Sequence, residues 1–366
     1  MKRPPRLAID GDEWNKWGGC TPHAGTIVVI SNSRQVDIAD NHFRGESVGA
    51  NWGFPLNSGP SFTLLSGALL LQIPGAVFWP YFAGAALSLT ALFAVWTEVS
   101  LARGADKIVS LGRFFLAMPL AIFGAEHFAS AKDISQLVPK WIPGAMFWTY
   151  FVGAALLAAA LSIVLKKHAR LAATLLAVMF CIFVLTISMP LVVAKPTDRI
   201  AWVVMLRDLS FAAGALAFAG TQTGEWRAKG TNKLITLARL VFATVALFFG
   251  VEQLLHPDCV PGVPFARQTP TWIPGHFIWS YVAGLVFVVA GARLLFNNRP
   301  RLAATGMGFM VLLLVFFVYV PIWGDEPSSV SNGLNYIADT LAFAGAVLLL
   351  AGALPKETQG TLTPQR

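Results

Sequence analysis

Charge is what this chain has least of. Of 366 residues only 13 % are Asp, Glu, Lys or Arg, where soluble domains carry roughly 25 %. That is too little polar surface to coat a water-soluble globule of this length. Together with 55 % hydrophobic residues, it excludes an ordinary soluble enzyme and a disordered or collagen-like chain. Cysteine is scarce as well. Cys20, Cys181 and Cys259 form no CxxC and no zinc spacing, which argues against a dithiol redox centre within the chain. There is no Walker motif, no GxGxxG with a following acidic residue, no GxSxG and no HExxH. Soluble nucleotide chemistry is thereby disfavoured. No apolar run follows Lys2, Arg3 and Arg6, so the start does not read as a secretory signal peptide.

What the chain does have is apolar length. Mean hydropathy is +0.62, and a span needs about 20 mostly apolar residues. Nine stretches qualify: 75–97, 108–126, 143–165, 171–192, 202–222, 234–255, 274–296, 302–321 and 333–353. Residues 57–72 are either a short interfacial helix or a tenth span, set apart by Pro74. The expected fold is an all-α polytopic membrane protein. It divides into a polar tail (1–60), a partial repeat (61–107), two four-helix units (108–222 and 234–353) and a short tail (354–366). The polar tail carries six Lys/Arg and six Asp/Glu with no helical period, and reads as poorly ordered.

The net charge of +8 raises the question of nucleic acid. The distribution of charge answers it differently. Loops on one side hold thirteen Lys/Arg, from Arg103 to Arg366, and the opposite loops hold five: Lys132, Lys140, Lys195, Arg199 and Arg267. The sides alternate without conflict. The positive-inside rule then sets the thirteen-charge side and the C-terminus in the cytoplasm of a multi-pass protein of the cell membrane. Lipid, not nucleic acid, is the expected surrounding.

Repetition organises the chain. Residues 141–156 read WIPGAMFWTYFVGAAL and 272–287 read WIPGHFIWSYVAGLVF, each followed by RLAAT at Arg170 and Arg301. An offset of 131 also superposes Pro190 on Pro321, Asp208 on Asp339 and Gly214 on Gly345. Upstream an offset of 126 pairs Arg113 with Arg239 and Glu126 with Glu252. The difference is a longer loop at 256–271. Residues 73–87 match 142–156 at twelve of fifteen positions, a partial third copy.

Each unit opens with an Arg-bearing helix ending in a Gly-containing exit, Leu-Gly-Arg113 to Phe-Gly-Ala-Glu126-His127 and Leu-Ala-Arg239 to Phe-Gly-Val-Glu252. A Trp-Ile-Pro loop, an aromatic second helix and a fourth helix with Asp208 or Asp339 follow. This resembles the DoxX-like membrane family, related to DoxD and MauE, as a tandem duplication over about 110–353. The resemblance implies four-helix bundles and a redox-associated subunit that meets quinone or thiol- and sulfur-oxidising partner proteins. The Glu-His pair departs from the Gln-Lys-like pair common after that Gly.

Ionisable residues inside a membrane are costly, so each is a functional candidate. Arg113 and Arg239 read either as snorkelling anchors or as counter-charges within the bundle. Asp208 and Asp339 lie roughly 10 Å below the outer edge at 1.5 Å per residue; there a bare carboxylate must be paired, hydrogen-bonded or protonated. Arg207, beside Asp208, is expected to reach Glu126, completing an outer-half cluster of Glu126, His127, Arg207 and Asp208. The second unit has Ala338 at the equivalent position, which leaves Glu252 and Asp339 without that partner. The cluster serves proton relay or quinone binding on one reading and polar glue between helices on the other. Glu252 and His256, spaced i, i+4, share a helix face but fall short of a four-ligand metal site. Trp141, Trp148, Tyr150, Trp272, Trp279 and Tyr281, with Trp79 and Tyr81 of the partial copy, form either an interfacial belt or a stacking wall for a quinone or lipid ring. Pro143 and Pro274 are placed at the first turn of the second helices, and Gly84, Gly153 and Gly284 at close helix contacts. A non-enzymatic scaffold, lipid-binding protein or small-solute carrier is the alternative to the redox subunit.

Overall fold

The computed structural model describes residues 75–222, 233–263, 268–325 and 330–356. The polar segment 1–60 and the ambiguous 57–72 lie outside the described residues. Among these residues nine helices are long and apolar enough to cross a membrane. They are α1 (Gly75–Leu101), α2 (Gly112–Ala129), α3 (Ala145–Leu165), α4 (Ala169–Ala194), α5 (Arg199–Thr221), α6 (Lys233–Leu255), α7 (His276–Leu295), α8 (Pro300–Leu314, continuing to Asp325) and α9 (Val330–Ala353). The protein is an all-α polytopic helical protein. Helix is the form such segments take because a lipid interior offers no partner to a free N–H or C=O.

Local sequence sets the ends and the irregularities. Gly144 (φ +74°) and Gly275 (φ +67°) precede α3 and α7 in the left-handed region, which only glycine enters freely. Pro143 and Pro274 therefore stand ahead of the helices rather than in their first turns. Their carbonyls accept hydrogen bonds from the indoles of Trp148 (3.1 Å) and Trp279 (3.2 Å). Asp198 caps α5, its Oδ1 accepting from the amides of Ile200 and Ala201. Both α4 and α8 pass through a five-residue π turn, Val184–Ser188 and Val315–Tyr319. Each turn runs up to a proline, Pro190 or Pro321. A proline in a helix cannot donate to the carbonyl four residues back, and the ladder yields by widening the preceding turn.

The helices from α2 to α9 lie in chain order around a closed ring, each packed on the next and α9 on α2, while α5 and α9 meet across its middle. The two quartets, α2–α5 and α6–α9, thus interlock. The first helix of each packs on the last helix of the other, and α9 is the most enclosed span. The seam is tight. A Cβ on Gly214 would sit 2.4 Å from the Cβ of Ala346, and one on Gly345 would sit 2.4 Å from the amide nitrogen of Leu116. Within each quartet the first two helices also close on glycine, Gly124 against Gly153 and Gly250 against Gly284. The first span, α1, lies outside the ring against α2 and α3, with Gly84 facing the Ala121 carbonyl.

One loop folds inward. Residues Cys259–Val263, between α6 and α7, are buried. Three hydroxyls from three helices donate to its carbonyls: Ser280 to Cys259 O (3.1 Å), Tyr319 to Pro261 O (3.0 Å), and Thr340 to Val263 O. Non-helical backbone at such a position survives only when protein supplies the partners that water would. Gly262 (φ +103°) makes the turn inside this pocket.

Candidate functional site

The ionisable residues gather into three groups, and each joins separate helices. The deepest is on the α5–α9 crossing. The guanidinium of Arg207 donates through Nη1 to Asp339 Oδ2 at 2.7 Å, and through Nε and Nη2 to Asp208 Oδ1 at 3.1 and 3.0 Å. Ser188, at the end of the α4 π turn, donates to the other oxygen of Asp208 at 3.4 Å. The Phe211 ring lies 5.9 Å below the guanidinium, near the outer limit of a cation–π contact. Pairing of Arg207 with Glu126 is not what forms. Its three bonds go to its own neighbour and to the second quartet. Asp339 therefore does have a guanidinium, supplied by the other quartet, where Ala338 seemed to leave it without one. One cation against two carboxylates gives the group a formal charge of −1 when both acids are ionised.

The second group lies where α5 begins and α6 ends. Arg199 Nε donates to Glu252 Oε2 at 2.7 Å, and His256 Nε2 stands 3.9 Å from the same oxygen. Burial, and then the neighbouring Arg199, hold the His256 imidazole below its ordinary range. Sequence reasoning counted Arg199 only as a loop charge. The Asp198 cap was the available signal, because it starts α5 three residues ahead of the expected 202 and turns Arg199 into a helical side chain at the seam. Glu126 is buried, at 3 % exposure. His127 turns its Nδ1 to the Phe123 carbonyl of its own helix at 2.7 Å.

The third group is on the opposite face. Arg113 is buried and reaches Glu98 of α1 at 2.6 Å, which Lys166 joins at 2.5 Å. Arg113 also donates to the α3 carbonyls of Val164 (3.2 Å) and Ile163 (3.5 Å). Arg239 does the same for α7, donating to Leu294 O and Leu295 O. These are last-turn carbonyls, where the helical ladder runs out and the negative end of the helix dipole lies. Arg113 is a counter-charge to Glu98 and a cap on α3; capping is the part neither reading named. Nearby, Asp106 holds Arg301 (2.7 Å) and Lys356 (2.6 Å), and Arg301 caps α9 at Ala351 O and Leu354 O.

The aromatic candidates take no part in these groups. Trp141, Trp148, Tyr150, Trp272 and Tyr281 are exposed on the outer flank of the helices, Trp141 at 72 %. Trp279 is half-buried and stacks on Phe317 at 5.8 Å between centroids and 14° between planes. The side chains of Trp79 and Tyr81 lie outside those described. Cys181 is a free thiol on α4, whereas Cys259 is in a disulfide; Cys20 lies outside the described residues.

A family model with the description "Domain of unknown function (DUF8561)" matches residues 116–219, a stretch that runs through α2 to the end of α5. No curated protein and no solved structure matches the chain.

Proposed function

We propose that this is a DoxX-like protein of the cell membrane, a tandem duplication with its C-terminus in the cytoplasm, acting as a non-enzymatic helical scaffold subunit. One observation carries the reading: the described buried charges are spent on one another, helix to helix. Arg113, Arg199, Arg207, Arg239 and Arg301 each end on a carboxylate or a helix-terminal carbonyl of a different span. Groups committed in this way hold the helices in position relative to one another. The duplication is supported by paired contacts at the sequence offset of 131. Val164 and Leu295 are capped by Arg113 and Arg239, and the π turns begin at Val184 and Val315.

Orientation draws on two facts of different kinds. Basic residues crowd one set of loops, and the disulfide of Cys259 lies in a loop of the other set. Disulfides persist in oxidising compartments, so the Cys259 loop faces outward. Maleimide labelling of single cysteines in intact cells tests this. Positions 167, 229 and 299 should be protected and position 195 labelled.

A redox subunit that binds quinone is the second reading, favoured by the parallel, outward-facing Trp279–Phe317 pair, which offers a flat ring a surface. Organic extraction of the purified protein separates the two. Stoichiometric quinone, lost in Phe317→Ala, establishes the redox reading. An extract without quinone, and Asp208→Asn protein that loses thermal stability without losing any cellular thiol-stress phenotype, leaves the scaffold.

A further inference from the structure

The seam between the quartets is unequal in what each side brings. Across it the first quartet contributes Arg199, Arg207 and Asp208, and the second contributes Glu252 and Asp339. At the positions related by 131 to the two arginines the second quartet has Val330 and Ala338. Two second quartets set face to face would oppose carboxylates with no cation between them, an arrangement that excludes that pairing. A first quartet seats on a second because it supplies the cations for both.

The geometry points to a recognition surface that reads one guanidinium shared by two carboxylates, at a position either quartet can fill. This inference rests on the duplication proposed above. Arg207 precedes Asp208 on α5 as Ala338 precedes Asp339 on α9, and α5 and α9 face each other directly through Gly214 and Ala346. By the duplication, an arginine at 338 would have its own Asp339 beside it and Asp208 across the crossing. Ala338 is fully buried. The space for such a side chain is the space that truncation of Arg207 vacates at the same crossing. The partner each quartet fits is thus another quartet that completes the triad, and in this chain that partner is covalently attached.

The test uses the full chain with a protease recognition sequence placed within 223–232, folded in mild detergent and then cut. The two halves should co-elute after cutting. Arg207→Ala should lower the apparent Tm by about 10 °C, since it strands two buried carboxylates, and should let the cut halves separate. Arg207→Ala/Ala338→Arg should recover at least half of that loss and keep the halves together, whereas Arg207→Ala/Ala338→Leu, which restores volume without charge, should not. Separation of the wild-type halves on cutting overturns the reading of the two quartets as one locked body. Wild-type halves that stay together while Ala338→Arg rescues no better than Ala338→Leu overturn the shared-cation inference alone.

Discussion

The α2–α9 crossing can be tested with a single methyl group. In Gly345→Ala the new carbon would stand 2.4 Å from Leu116 N, 2.5 Å from Phe115 C and 2.8 Å from Phe115 O. All three are backbone atoms, so no rotamer change relieves the clash. Ordinary contact begins at about 3.5 Å, and the helices must part by about 1 Å. A gap of that size forfeits a quarter to a half of each dispersion contact along the crossing. With roughly 20 such contacts of 0.1–0.2 kcal/mol, that is about 1 kcal/mol; strain in a packed core raises the total to about 1–3 kcal/mol. For a chain of this size the apparent Tm should fall by roughly 3–10 °C, read from tryptophan fluorescence in mild detergent. Gly306→Ala is the control, because a Cβ there meets nothing within 4 Å. On α8 it should keep or raise the Tm, alanine being the better helix former by up to about 1 kcal/mol. If Gly345→Ala melts with wild type, or Gly306→Ala loses as much, close approach at α2–α9 is not what sets stability.

Three further outcomes are expected. Arg113→Ala should cost about 2–4 kcal/mol and Arg239→Ala about 1–2 kcal/mol by chemical unfolding, because Arg113 is buried and holds a carboxylate as well as a helix end; equal losses would argue that capping alone matters. Tyr319→Phe and Ser280→Ala should each cost about 1 kcal/mol and speed hydrogen exchange at the amides of Val260, Gly262 and Val263, with no such acceleration in α3. The His256 imidazole is held below its unfolded value, so folding favours its neutral form; the stability it contributes is present above about pH 6.5 and declines as pH falls below that. Melting curves of His256→Gln should lack this part of the acid sensitivity, and an unchanged pH profile would remove His256 from the account.

The spans were legible because hydropathy reports transfer into lipid, and every stretch from 75–97 to 333–353 became a helix with ends shifted by a few residues. The burial of Asp208, and the close contacts at Gly153 and Gly284, followed from position alone. Partner choice did not. Hydropathy is silent on which helix touches which, and taking each unit as a separate bundle directed Arg207 to Glu126 instead of across the seam to Asp339. The inward fold of Cys259–Val263 was also hidden. Its residues are apolar and short, and its stability comes from hydroxyls on Ser280, Tyr319 and Thr340, which follow it in the chain by roughly 20 to 80 positions. The π turns left a trace in Pro190 and Pro321, whose missing N–H predicts a disturbed ladder but not its type.

That buried loop also dictates an order of assembly. Synthesis delivers Cys259–Val263 before any of the hydroxyl donors exist, since Ser280, Tyr319 and Thr340 arrive with the last three spans. The loop cannot be pushed into a finished bundle without stripping its carbonyls of water first. It must wait at the surface while α7, α8 and α9 enter the bilayer and close over it, so a ribosome paused before α9 should hold an N-terminal product with that turn still wet.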